Sequence, residues 1–164
     1  MPQLNRDQRH RITVTLNGKE VSGLAEPRML LSDFLRQILS TNSVHVGCEH
    51  GVCGACTVRI DGRAVRSCLM FAAQADGRRI DTAAGLADDS GDLNALQTAF
   101  KKNHALQCGY CTPGILMSVT DYLERDPGAE EAALKDMLSG HLCRCTGYVG
   151  MLRAVLEVFA ETGN

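Results

Sequence analysis

From residue 11 onward the hydrophobic positions follow one period and then another. Ile12-Thr13-Val14-Thr15-Leu16 alternates apolar and polar, as a half-buried strand does. Asn17-Gly18 follows, a pair suited to a turn in which both positions take positive φ, so a hairpin returns through Lys19 to Leu24 and ends at Pro27. Leu31, Phe34, Leu35, Ile38 and Leu39 then recur at helical spacing, with Ser32 or Asp33 as the N-cap. A long loop over about 46–56 leads to a strand at 57–60, a second turn at Asp61-Gly62, a return strand over 64–67 and a last short strand near 79–81. Hairpin, helix, hairpin, strand is the order of a β-grasp domain. Past a small, polar stretch with Gly85, Asp88, Asp89, Ser90 and Gly91, the period becomes helical and stays so. Leu93, Leu96, Ala99 and Phe100 share one face, with Asp92 as the cap. Thr112-Pro113 opens the next helix, with Thr at the cap and Pro at the first helical position, and Ile115, Leu116, Val119, Tyr122 and Leu123 face inward. Asp126-Pro127-Gly128 breaks it, a short helix spans 130–138, and Thr146 caps a last one with Leu152, Val155, Leu156 and Phe159 inward. Four helices with short connections predict a small bundle.

These two regimes predict a polar arm over 1–10, a first domain over 11–84, a linker over 85–91 and a helical domain over 92–164. Composition sharpens that division. Of 164 residues, 45% are hydrophobic, but only 4% are aromatic and there is no Trp, which suits two small stapled cores better than one large one. The net charge of −2, without a basic stripe or acidic tail, gives no pointer to nucleic acid or an anionic membrane. No apolar run approaches the roughly 18 residues of a membrane span. Residues 1–11 are polar and lack the apolar core of a secretory signal, so a cytoplasmic location is the expectation. In a reducing cytosol eight cysteines argue for metal rather than disulfides.

All eight lie in or near two stretches. Cys48, Cys53 and Cys56 are spaced C-x4-C-x2-C, with Cys68 next, and the first three match plant-type [2Fe–2S] spacing. An oxidised cluster held by four thiolates has a formal charge of about −2. A loop with Gly47, Gly51 and Gly54 can fold tightly and aim backbone N–H groups at the sulfurs. A structural zinc site is the competing reading; it favours paired cysteines across a longer spacer. Glu49 and His50 read as surface residues or as partners of the loop, and Arg59, Arg63 and Arg66 as solvated strand positions, or less often a docking patch. The second stretch is Cys108-x2-Cys111, with Gly109 between, and Cys143-x-Cys145. C-x2-C alone is common to several chemistries, but there is no following His for haem and no thioredoxin-like βαβ pattern. Cys111 and Cys145 each precede an expected helix, where unpaired N–H groups stabilise thiolates. His104 and His141 read as hydrogen-bonded or solvated rather than ligating, Gln107 as a helix-terminus hydrogen bonder, and Tyr110 and Tyr148 as packing residues.

Taken in order, Gly47-Cys48-Glu49-x-Gly51-x-Cys53-Gly54-Ala55-Cys56-Thr57-Val58, Ser67-Cys68-Leu69, residues 106–114 (LQCGYCTPG) and residues 142–148 (LCRCTGY) resemble the small iron–sulfur subunit of the molybdenum hydroxylases. That family includes xanthine dehydrogenase, aldehyde oxidoreductase and aerobic carbon monoxide dehydrogenase. The resemblance covers nearly the whole chain after about residue 11. It implies an α+β protein with an N-terminal β-grasp, plant-type ferredoxin-like domain and an all-α four-helix [2Fe–2S] domain. It also implies two [2Fe–2S] clusters, one on Cys48, Cys53, Cys56 and Cys68 and one on Cys108, Cys111, Cys143 and Cys145, with Gly47, Gly51, Gly54 and Gly109 in the cluster loops. Its partners would be a molybdopterin subunit and an FAD subunit, assembled as a dimer of heterotrimers. The second cluster would lie nearest the pterin, with Gln107 and Cys108 against it, and the first would relay to FAD. His141 departs from the Asn more usual there, which bears on loop hydrogen bonding rather than on the ligands. No catalytic acid, base or nucleophile stands out in this chain. A free-standing two-cluster ferredoxin and a zinc-stapled interaction module are the alternatives. Purines, aldehydes, carbon monoxide, N-heterocycles and aromatic acyl-CoA compounds are all served by similar subunits.

Overall fold

The computed structural model describes residues 4–87 and 90–162. Asp88 and Asp89 of the expected linker, and the first three residues of the expected arm, lie outside the described residues. The first half is a mixed five-stranded sheet in the order β2-β1-β5-β3-β4. β1 (His10–Leu16) and β2 (Lys19–Ala25) form the first hairpin, and β3 (Thr57–Ile60) and β4 (Arg63–Arg66) the second. β5 (Arg79–Asp81) runs between them, parallel to β1 and antiparallel to β3. Both hairpins turn on an Asx-Gly pair with positive φ at each position: 48° and 81° at Asn17-Gly18, 49° and 83° at Asp61-Gly62. β1 begins at His10, inside the expected arm, and β4 ends at Arg66, after which Ser67–Leu69 forms a 3₁₀ turn.

The expected amphipathic helix is shorter and wound differently. α1 (Leu31–Asp33) passes at once into a π-helical segment, Phe34–Ile38. Its N-cap is Leu30, with no side-chain cap from Ser32 or Asp33. Leu31, Phe34 and Leu35 are buried as expected, while Ile38 is part exposed and lies against Gly23 of β2, where an added Cβ would meet it. Together with Ile12, Val14, Val44, Val58, Ile60 and Ile80 these residues build one core.

The second half is helical: α2 (Ala95–Lys102), α3 (Thr112–Arg125), α4 (Glu131–Ser139) and α5 (Val149–Thr162). A separate core collects Leu96, Phe100, Ile115, Val119, Leu134, Met151, Val155 and Phe159. On α5 the buried stripe is Met151, Ala154, Val155, Val158 and Phe159, so Leu152 and Leu156, expected inward, sit at its margin. Asn94, not Asp92, caps α2: its side chain accepts from the Gln97 N–H while the Gln97 side chain accepts from the Asn94 N–H. Cys111 takes the N-cap position of α3, which puts Thr112 inside the helix. α5 begins three residues after Thr146, so Thr146 is not its cap. No described helix is long and apolar enough to cross a membrane.

Candidate iron–sulfur sites

The eight cysteines come together two by two. In the first set the Cys48 and Cys53 thiols are within hydrogen-bond reach, and the Cys53 N–H points at Cys48 Sγ across 3.3 Å. Cys56 reaches Cys68, which the 3₁₀ turn after β4 brings up beside the loop. In the second set Cys108 Sγ and Cys145 Sγ are 3.5 Å apart, and Cys111 pairs with Cys143. All eight are free of disulfides. Two thiols per iron, twice over, is the donor set of a [2Fe–2S] cluster. A structural zinc ion would instead draw four ligands to one point.

The surroundings of the thiols fit an anionic guest. The backbone N–H of Cys53, joined by those of His50 and Val52, lowers the Cys48 thiol to about 6. Burial pushes Cys68 up to about 12, with the Gly51 N–H opposing it. Burial likewise raises Cys111 to about 12. It would raise Cys143 too, but the Thr146 hydroxyl, 3.1 Å from the sulfur, and the N–H groups of Cys145 and Thr146 outweigh it and lower that thiol. The neighbouring Cys108 thiol raises Cys145, while the Cys108 N–H works the other way. Each set therefore pairs thiols whose charge is already favoured with thiols buried in apolar surroundings, where only a metal would hold them as thiolates. Gly47 leaves the space this needs, since a Cβ there would stand 3.1 Å from Cys53 Sγ. Gly51, Gly54 and Gly109 all take positive φ, at 82°, 77° and 80°.

The helix-terminus support expected for both pairs is present at one. Cys111 caps α3, but Cys145 lies in an irregular turn and depends on local donors instead. Gln107 is exposed, and its Nε2 donates to the Cys145 carbonyl across 3.0 Å, tying the two strands of the second site together. Glu49, His50 and His104 are exposed.

The junction between the halves holds residues whose importance composition did not signal. Arg59 is not solvated. It is 7% exposed, donates to the Gly62 carbonyl at 3.1 and 3.2 Å and forms an ion pair with Glu124 of α3. Arg66 donates to Gly140 O at 2.7 Å and to the Thr57 hydroxyl. The Leu142 N–H donates to the Cys53 carbonyl across 2.9 Å, which joins the two cysteine loops directly. His141 is buried there with Nε2 2.8 Å from Ser118 Oγ. Burial, with Arg66 nearby, pulls it down to about 3, so its imidazole is neutral. Gly54 packs against it so closely that a Cβ would strike Nδ1 and come within 2.9 Å of Gly140 O. Tyr148, expected to be a packing residue, uses its hydroxyl to accept from the Cys143 N–H and donate to the His141 carbonyl, both at 2.8 Å. The pairing of Arg59 with Glu124 had no local signal, because the two are 65 residues apart.

Comparison with known proteins agrees with this arrangement. Residues 14–87 match a family model described as a 2Fe-2S iron-sulfur cluster binding domain, and residues 82–156 match one described as a [2Fe-2S] binding domain. The chain is 50% identical to the nicotine 6-hydroxylase small subunit of Paenarthrobacter nicotinovorans, over 93% of this chain and 92% of that one. It is 47% identical to caffeine dehydrogenase subunit gamma of Pseudomonas sp. (strain CBB1), over 93% of each. Among solved structures it superposes on quinoline 2-oxidoreductase from Pseudomonas putida 86 with a TM-score of 0.90 and 43% identity, covering 95% of this chain and 97% of that one. The likeness thus extends over nearly the whole chain and nearly the whole length of these relatives. The chain belongs to the family of small iron–sulfur subunits of the molybdenum hydroxylases, oxidoreductases in which such a subunit carries electrons through two [2Fe–2S] clusters.

Proposed function

We propose that this chain relays single electrons from a molybdopterin centre in one partner subunit to FAD, or another acceptor, in a second. The substrate would be hydroxylated at molybdenum with water as the oxygen source. Cys108, Cys111, Cys143 and Cys145 hold the cluster on the pterin side, and Cys48, Cys53, Cys56 and Cys68 the cluster on the acceptor side. One domain (11–84) and a helical domain (92–164), joined by 85–91, each carry one cluster. When bound, the clusters supply one-electron chemistry whose potential depends on hydrogen bonds to sulfur and on burial. The protein's own work is to hold the thiols in pairs, aim N–H groups at Cys48, Cys68 and Cys143, and exclude water from Cys56, Cys68 and Cys111.

The observation that carries this reading is the two-by-two approach of the thiols. The surface supports two docking points. Exposed Cys108 and Gln107 are flanked in the chain by exposed Leu106 and Tyr110, and Leu142 and Val149, also exposed, flank the Cys143–Cys145 turn. Gln107 and Cys108 are the candidate pterin contacts on that side. Val52 and Leu69 stand 57% and 61% exposed beside the first set, an apolar rim suited to the acceptor subunit. The nicotine, caffeine and quinoline enzymes among the relatives favour an N-heterocyclic substrate for the complex, with specificity set by the molybdenum subunit.

Iron and acid-labile sulfide per chain, with a visible spectrum before and after dithionite, test the reading. About four of each per chain, in a red-brown protein that bleaches on reduction, is the expected result. Cys56→Ser and Cys111→Ser should each remove the signal of one cluster and leave the other. Zinc without sulfide in folded protein would sink the proposal.

A further inference from the structure

Tyr110 stands between two cysteines of the second set, yet its contacts are with the first. Its phenol O–H donates to the Val46 carbonyl across 2.7 Å. Its own carbonyl lies 2.7 Å from His45 Nδ1. A carbonyl can only accept, so His45 Nδ1 carries the hydrogen and donates it. The two rings also stack, with centroids 4.6 Å apart and planes 18° from parallel. Both hydrogen bonds end on the residues that lead into Cys48. The ring edge also covers Gly47: a Cβ there would lie 3.8 Å from Tyr110 Cε1 on one side and 3.1 Å from Cys53 Sγ on the other. Tyr110 is 48% exposed, so burial of apolar area does not explain its placement. Hydrogen bonds and a stacked pair do.

We propose that Tyr110, stacked on His45, is a positioning residue that sets the distance between the two cluster loops. The inference rests on the cluster assignment above and adds to it the side chain that spaces the two sites. The link is separate from the Leu142–Cys53 hydrogen bond, which joins the loops from the opposite strand of the second site. Removing the tyrosine therefore leaves the halves docked through Leu142, Arg59 and Arg66. What it releases is the approach of the 108–111 loop to the 45–47 lead-in. Electron transfer and magnetic coupling between two paramagnetic centres both depend steeply on that separation.

The test uses the full chain as isolated with its clusters, reduced with dithionite, and reads the magnetic splitting between the two reduced clusters by electron paramagnetic resonance. Iron and sulfide are measured on the same samples. Tyr110→Leu is expected to keep wild-type iron and sulfide and both cluster signals while losing most of the splitting. Tyr110→Phe, which keeps the ring and loses the Val46 bond, should lose part of it. Unchanged splitting in Tyr110→Leu at full iron content overturns the proposal. Should Tyr110→Leu lose iron, Tyr110→Phe and His45→Gln carry the comparison: altered splitting in either supports the role, and wild-type splitting in both overturns it. A wild-type chain without iron and sulfide would overturn the cluster assignment and this inference with it, an outcome visible before any variant is made.

Discussion

The Tyr148 hydroxyl sits within the turn that carries the Cys143–Cys145 pair. It is the partner of two backbone groups at once, the Cys143 N–H and the His141 carbonyl, in a turn that no helix or strand supports. Phenylalanine would keep the ring and strand both groups in a part-buried site, which costs about 1–3 kcal/mol. We expect Tyr148→Phe to lower the urea midpoint accordingly and to release iron from the second site before the first, as followed by cluster absorbance during chelation. The same residue shows what reading single positions can and cannot reach. The cysteine-rich stretches stood out because C-x4-C-x2-C and C-x2-C spacings are local chemistry, whereas the meeting of Cys108 with Cys145 and of Cys111 with Cys143 is set by the fold. Arg59, Arg66 and Tyr148 did not, because their partners Glu124, Gly140 and His141 are supplied by the fold. A charged residue on a strand is ordinarily solvated, and here a helix from the other half covers it.

Among the elements, α2 gives the simplest test of how the chain marks its helix ends. Asn94 and Gln97 satisfy each other's N–H groups at 2.8 and 3.0 Å. Asn94→Ala removes the acceptor for the Gln97 N–H and should cost about 1 kcal/mol, read as a shift in chemical denaturation with unchanged m-value. Periodicity placed the five strands and the four long helices, even β3, which is buried on both faces, and it placed the two Asx-Gly turns because their backbone demands positive φ. It missed the ends, where several residues of capping type compete: Asp92 and Asn94 at α2, Cys111 and Thr112 at α3. It also missed the π-helical winding after Asp33. Leu31, Phe34 and Leu35 read as one α-helical stripe, but the close approach of β2 alters the turn. A Cβ on Gly23 would meet Ile38 and stand 3.0 Å from Phe34 Cε2, so the segment lies almost on the strand backbone.

For the molecule as a whole, the question is what makes two small cores behave as one protein. The backbones approach closely at Gly114, in the first turn of α3, where a Cβ would run into the Gly54 carbonyl and come within 3.1 Å of Ala55 O. Gly54 and Ala55 belong to the first cysteine loop, between Cys53 and Cys56. Helix α3 thus starts at a cysteine of the second set and leans its first turn on the loop of the first. Gly114 has no positive φ to preserve, so in helix terms alone Gly114→Ala should stabilise α3 by about 0.5–1 kcal/mol. Overpacking against backbone atoms that cannot rotate away works in the other direction, by about 1–3 kcal/mol. We therefore expect Gly114→Ala to lower thermal stability, opposite to the helical trend. We also expect unfolding followed by far-ultraviolet circular dichroism to separate from unfolding followed by first-cluster absorbance, as the halves lose their common joint. A raised midpoint with coincident transitions would show that the halves are held instead by the Arg59–Glu124 pair and the Leu142–Cys53 bond, and that the bare helix face at Gly114 is incidental.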